Sequence, residues 1–221
     1  MTGLHVAVFG VNGTGKTTWA RGVIRDTRAC WVLDTKGVGD FDVLGWPTVY
    51  DVTALRAIDR AIYRPPLGAG YRDLEPFFSE VYRRGWVKVL VDEATHVCSA
   101  SAISRGYVGL LRSGRGRGVQ VVTLAQRAVG LHNDVMSESW TYVLFRLGGD
   151  PDAQKLQSFG VSEEATKEAS GLPPYRYLVW DRMSEEVSRH ATQAAALGSR
   201  DTATRRRGKD GRWLPSGPQA D

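Results

Sequence analysis

Short apolar, β-branched runs alternate with helical stretches along most of this chain. Residues 4–9 (Leu-His-Val-Ala-Val-Phe), 30–33, 87–91, 119–124, 141–147 and 175–180 read as strands, and 48–50 as a short one. Helices are predicted from Lys16 to about Thr27, over 53–61 with Asp51 or Thr53 as cap, and over 75–84. Two more follow, over 151–159 with Pro151 at its first position and Asp150 as cap, and over 163–169. Pro65-Pro66-Leu67-Gly68-Ala69-Gly70 breaks the series. Apolar strands alternating with helices predict an α/β fold, a mostly parallel central sheet with helices on both faces.

The pattern ends near residue 197, where Arg, Gly, Ser, Pro and Lys take over. One domain over 1–197 and a basic, flexible tail over 198–221 are therefore expected. The chain has 221 residues and a net charge of +5, of which the segment from Leu197 onward carries +3. That balance is compatible with a polyanionic partner without identifying one. No apolar stretch approaches the roughly 18 residues of a membrane span, and nothing resembles a signal peptide, so a cytoplasmic protein is expected. Cys30 and Cys98 are the only cysteines, in no metal-ligand spacing.

The chemistry begins directly after the first strand. Gly10-Val11-Asn12-Gly13-Thr14-Gly15-Lys16-Thr17 matches G-x-x-x-x-G-K-[ST] in full and opens a helix, the context this motif needs. Glycines let backbone N–H groups curl around phosphate oxygens, and the helix N-terminus adds favourable electrostatics. Asn12, Gly13, Thr14, Gly15, Lys16, Thr17 and Thr18 are thus the expected ATP-binding residues. Lys16 would reach the β- and γ-phosphates and Thr17 would ligate Mg²⁺.

A second acidic motif, Val89-Leu90-Val91-Asp92-Glu93, ends a strongly apolar strand. Asp92 would hold the Mg²⁺, and Glu93 would act as general base on the attacking water. Alone, the pair reads as well as two solvated acids; beside an intact phosphate loop the catalytic reading is favoured.

Four arginines and no acid lie between residues 112 and 127. A solvated face accounts for such a run as readily as function does. In the functional reading, Gln126 at a strand tip senses the γ-phosphate, and an arginine from 112–118 reaches a neighbouring subunit's ATP.

The ordered set resembles the FtsK–HerA superfamily of ring-forming, DNA-pumping ATPases. The resemblance rests on the phosphate loop, Leu33-Asp34-Thr35-Lys36-Gly37, Val91-Asp92-Glu93-Ala94, Gly114-Arg115-Gly116-Arg117-Gly118-Val119 and Thr123-Leu124-Ala125-Gln126-Arg127. Phe145-Arg146-Leu147, then Asp152-Ala153 and Leu156, continue it, so that it covers residues 4 to about 181. It implies a P-loop NTPase of the RecA/ASCE type, forming a hexameric or pentameric ring that moves double-stranded DNA through a central pore. Glu93 would be base, Gln126 sensor, and Arg115 the finger acting in trans, with Arg117 as the alternative. Ala128 stands where the family has proline.

A motor without added domains looks most like the small genome-packaging ATPases of viruses, which implies capsid or portal-vertex proteins as further partners and association with the virion. A DNA-transfer ATPase of a plasmid or integrated element and a protein assembly or export ATPase of filamentous-phage type are the alternatives. A DNA-tracking loop is sought at 36–42 or around 99–105.

Overall fold

The structure is a computed structural model that describes residues 4–192; the basic tail assigned to 198–221 lies outside the described residues. β1 (His5–Phe9) runs through the middle of a nine-stranded sheet. Its neighbours are β6 (Gln120–Ala125) and β7 (Ser139–Leu144), both parallel to it. Beyond β6 lie β5 (Lys88–Asp92), β2 (Cys30–Asp34), β4 (Arg60–Tyr63) and β3 (Thr48–Val49), all parallel. β8 (Arg176–Asp181) and β9 (Val187–Ala191) extend the other edge in antiparallel fashion.

Near-continuous apolar strands need cover on both faces. On one face, Ala20 and Ile24 of α1 (Lys16–Ile24) pack with Val8, Val32, Leu90, Val122 and Val143. On the other, α2 (Glu75–Arg84) and α3 (Arg105–Ser113) bring Phe77, Phe78, Val81, Tyr107 and Leu110 against Val89, Val91 and Val121. α4 (Asn133–Glu138), α5 (Asp150–Gln157) and α6 (Glu163–Ser170) add Val135, Met136, Leu156 and Ala165 to that layer.

The expected helix over 53–61 is not formed. A 3₁₀ turn, Val52–Ala57, capped by the Asp51 carboxylate at the Thr53 amide, gives way to β4. Ala61, Ile62 and Tyr63 are all buried, and a short run that is apolar on both sides has no period to separate helix from strand. α3 is a helix that the strand-and-helix pattern does not predict: Tyr107, Leu110 and Leu111 recur at i, i+3 and i+4, and Ser104 caps the first turn. Asp150 is the first residue of α5 rather than its cap, a position taken by Gly149. No helix among the described residues is long and apolar enough to cross a membrane.

Candidate active site

The strand order decides which loops meet. Because β6 lies between β1 and β5, the chain after β6 emerges between the phosphate loop and the acidic pair. Phe9 is level with Ala125, and Val91 with Thr123. Lys16, Thr17, Asp92 and Glu93 line one cavity of about 360 Å³ with Asn12, Gly13, Gly15, Thr18 and Lys36. A wider depression near Tyr63 and Arg72 contains none of these motif residues.

The phosphate loop is held by its own atoms and by two neighbouring segments. The Val11 amide donates to the Arg146 carbonyl (2.9 Å), the Tyr175 amide to the Thr14 carbonyl (2.8 Å), and the Thr14 hydroxyl to the Val11 carbonyl (2.8 Å). Gly15 at φ 106° opens α1 without a side-chain cap, so the first-turn N–H groups face the cavity without helical partners. A Cβ at Gly15 would stand 2.7 Å from the Tyr175 ring, and one at Gly10 would stand 2.6 Å from Phe145 Cβ. The Lys16 ammonium lies on the loop's own carbonyls, Gly10 and Val11 (3.0 Å to the latter). Burial lowers its pKa to about 8.

Asp92 and Glu93 are both buried. Burial pushes the Asp92 carboxyl up to about 6, against the pull of Lys36. Its Oδ2 is buried without a hydrogen-bond partner among the described residues. That oxygen faces the Lys36 ammonium at 3.5 Å and shares its cavity with Thr17; a carboxylate and a hydroxyl on one cavity wall fit a hydrated Mg²⁺, which needs few protein ligands. Among the described residues no cluster of three or more His, Cys, Asp or Glu offers an all-protein metal cage.

Glu93 adopts φ 61°, a left-handed conformation that costs about 1–3 kcal/mol in a non-glycine residue and concentrates at functional sites. Its carboxylate accepts hydrogen bonds from Gln126 Nε2 (2.7 Å) and the Thr95 hydroxyl (3.0 Å). The strand-tip residue sought as sensor therefore touches the residue sought as base, across two adjacent strands.

Arg115 and Arg117 are not part of this cluster. They sit in a 3₁₀ turn, Gly114–Arg117, before the first residue of β6, at the opposite end of the strands. The six residues of β6 put about 20 Å between that turn and Gln126. The segment is not the mobile glycine loop its composition suggests: the Gly114 carbonyl accepts from the Val119 amide, and the Arg117 carbonyl from Trp86. Arg117 also donates to the Tyr82 and Arg83 carbonyls and lies over the Tyr82 ring. Arg115 is exposed over Trp140. Arg112 and Arg127 are paired with Asp134 and Asp152, so half of the arginine run is neutralised locally.

Asp152, legible in the sequence only as part of a resemblance, fixes the loop after Gln126. Its buried carboxylate accepts from Arg127 Nε (3.0 Å) and the Val129 amide (3.1 Å), so the loop is tied down without a proline at Ala128. Lys36 belongs to one of the motifs that carry the resemblance and begins a candidate DNA-tracking loop. It turns instead into the phosphate cavity, 3.5 Å from Asp92 and 3.4 Å from Glu93.

A glycine-rich phosphate-loop motif after β1, an acidic pair at the end of β5 and a glutamine at the tip of the strand between them, in a mostly parallel sheet, give a P-loop fold of the RecA/ASCE type. No model of a known protein family matches the chain. It is 27% identical over 160 residues to the DNA packaging ATPase P9 of Enterobacteria phage PRD1, a match spanning 70% of this chain and 69% of that protein. In fold it is similar to the genome packaging NTPase B204 of Sulfolobus turreted icosahedral virus 2, solved in complex with ATP-gammaS. There the TM-score is 0.73 at 14% identity, over 85% of this chain and 96% of the other. The N-terminal domain of zonular occludens toxin from Neisseria meningitidis is a more distant likeness, with TM-score 0.51 and 14% identity over 90% and 98% of the two chains. The resemblance to FtsK–HerA-like viral packaging ATPases, first drawn from motifs, is borne out.

Proposed function

We propose that this chain is the subunit of an ATP-driven motor that packages double-stranded viral DNA. The observation that carries the reading is the meeting of Lys16, Asp92, Glu93 and Gln126 at one sheet edge, in a chain similar over most of its length to a DNA packaging ATPase.

In this reading the loop amides and Lys16 hold the β- and γ-phosphates. Thr17 and Asp92 would hold Mg²⁺, which neutralises charge on the β- and γ-oxygens. Gln126 orients a water against the γ-phosphorus, and Glu93 takes its proton as the oxygen attacks. The bond to the β–γ bridging oxygen breaks, leaving ADP and phosphate. Lys16 stabilises charge in cis, and an arginine of the next subunit in trans, which requires a ring. DNA would run through that ring, and a capsid or portal vertex would receive it.

The test is ATP turnover with and without double-stranded DNA, together with the native mass in nucleotide. DNA-stimulated turnover by a ring, lost in Lys16→Ala, is the expected result. Turnover in Lys16→Ala equal to the parent's would reject the site. A ring that hydrolyses ATP with no response to DNA would favour a protein-export ATPase instead.

A further inference from the structure

Asp34 ends β2 level with Asp92 at the end of β5. The two neighbouring carboxylates are used differently. Asp34 is wholly buried and occupied: it accepts from Arg64 Nε at 2.8 Å and from the Gly37 amide at 2.9 Å. The second bond closes a tight turn over 34–37. Thr35 ties that turn to the acidic strand, donating to the Asp92 carbonyl (3.0 Å) and meeting His96 Nδ1 at 2.6 Å.

A turn fixed at both ends fixes the direction of the residue between them. Lys36 is carried back over the sheet edge, and its ammonium lies 3.5 Å from Asp92 Oδ2 and 3.4 Å from Glu93 Oε2. It lines the same cavity as Lys16 and Thr17. Its two partners are the groups that ATP hydrolysis needs elsewhere, Asp92 for a metal and Glu93 for a proton. An ammonium that kept both would oppose the reaction. A cation on Asp92 repels Lys36, and the strongest anion then within reach of its four-carbon stem is the terminal phosphate.

We propose that Lys36 is a second cationic ligand of the γ-phosphate, supplied in cis, which leaves the Glu93 carboxylate for the phosphate when ATP is bound. The exchange would free Glu93 to accept the proton of the attacking water and make that release dependent on the γ-phosphate. This rests on the ATPase reading above. The turn that carries Lys36 would then read the third phosphate, a role distinct from tracking DNA.

The experiment compares the affinities of a non-hydrolysable ATP analogue and of ADP, both with Mg²⁺, by calorimetry on the parent, Lys36→Gln and Lys36→Arg. Loss of a charge-assisted contact made only by the γ-phosphate should cut the preference for triphosphate over diphosphate by roughly tenfold in Lys36→Gln. ADP affinity should hardly move, and Lys36→Arg should keep most of the preference. An unchanged ratio, or equal loss for both nucleotides, overturns the proposal while leaving the ATPase reading intact. A parent that binds neither nucleotide overturns both. Lys36 is partly exposed and tolerance is expected; should Lys36→Gln fail to unfold cooperatively, Lys36→Met repeats the measurement with the stem retained.

Discussion

Gln126 Nε2 lies 2.7 Å from Glu93 Oε2, joining the tip of β6 to the residue that follows β5. Both ends of that bond are constrained. Glu93 is held in a left-handed conformation, and the chain beyond Gln126 is clamped through Arg127 to Asp152. In the proposed mechanism the group that takes the proton and the group that holds the water are thus set side by side before any substrate arrives. Glu93→Gln should bind ATP as the parent does and hydrolyse it at least roughly a hundredfold slower, as expected for loss of a general base. Gln126→Ala should likewise keep binding and lose turnover. Equal turnover in Glu93→Gln and the parent, measured by phosphate release, would show the base misassigned.

Asp152→Ala tests the clamp. The carboxylate is 1% exposed and satisfies both Arg127 and the Val129 amide. Its loss should destabilise the fold by about 1–3 kcal/mol, the usual cost of leaving buried hydrogen-bonding groups without a partner. Because the disturbed loop begins at Gln126, turnover should fall further than ATP affinity. Denaturant unfolding and ATP titration of the same preparation separate the two effects; unchanged stability would mean that Ala128 and its neighbours hold the loop unaided.

These two sites differ in how far the sequence revealed them. The phosphate loop and the acidic strand end are local: their spacing along the chain is their geometry, so Lys16, Asp92 and Glu93 were identifiable and the structure gathers them in one cavity. Gln126 needed one further step, the placing of its strand beside the one that ends in Asp92, which no local spacing gives and which the sheet order shows. Lys36 and Asp152 belong to motifs of the resemblance, but what they do depends on contacts between distant segments, which local spacing does not show. β4 was hidden for another reason. Three buried residues in a row carry no alternation, and Asp51 and Thr53 just before them signal a helix start that yields only a 3₁₀ turn.

Acid should weaken the fold through His5. The ring is 2% exposed; its Nδ1 accepts from the Val121 amide (3.0 Å) and its Nε2 faces the Leu111 carbonyl (2.9 Å), an arrangement that needs the neutral ring. Burial lowers its pKa to about 4, with a smaller push from the Arg115 charge. The unfolded chain takes up this proton near pH 6.5 while the folded chain does not until about pH 4. Stability is therefore complete above the unfolded value and falls as pH drops through that window. About 2 kcal/mol should be lost between pH 7 and pH 5 from this group. Asp92, whose carboxyl is pushed up to about 6, changes stability in the opposite sense over the same range. The check is therefore the difference in denaturant midpoint between the parent and His5→Gln, which should shrink as pH falls from about 7 to about 5; a difference that does not vary with pH would place the proton on a ring with other partners.

The position of Arg115 decides how it acts. It lies at the end of the strands opposite the phosphate loop, about 20 Å away by the length of β6, so it has no path to the nucleotide of its own subunit. Both arginines are exposed and each lies over an aromatic ring, but Arg117 also donates to two backbone carbonyls. Lys16 and the acids line the cavity, and a guanidinium arriving at the γ-phosphate from another subunit would stabilise the transferring charge by roughly 10³ to 10⁵ in rate. Arg115→Ala should therefore fold, bind ATP and assemble, yet fail to hydrolyse. Arg117→Ala should instead lower the melting temperature, because its bonds hold the 3₁₀ turn to α2. Mixing subunits separates action in trans from action in cis. Arg115→Ala and Glu93→Gln proteins are each expected to be inactive, but a mixed ring contains interfaces that pair an intact Arg115 with an intact Glu93. Turnover that recovers on mixing, and grows with the extent of subunit exchange, supports the finger in trans. Full turnover in Arg115→Ala alone, or concentration-independent turnover by a monomeric parent, would remove Arg115 from the chemistry altogether.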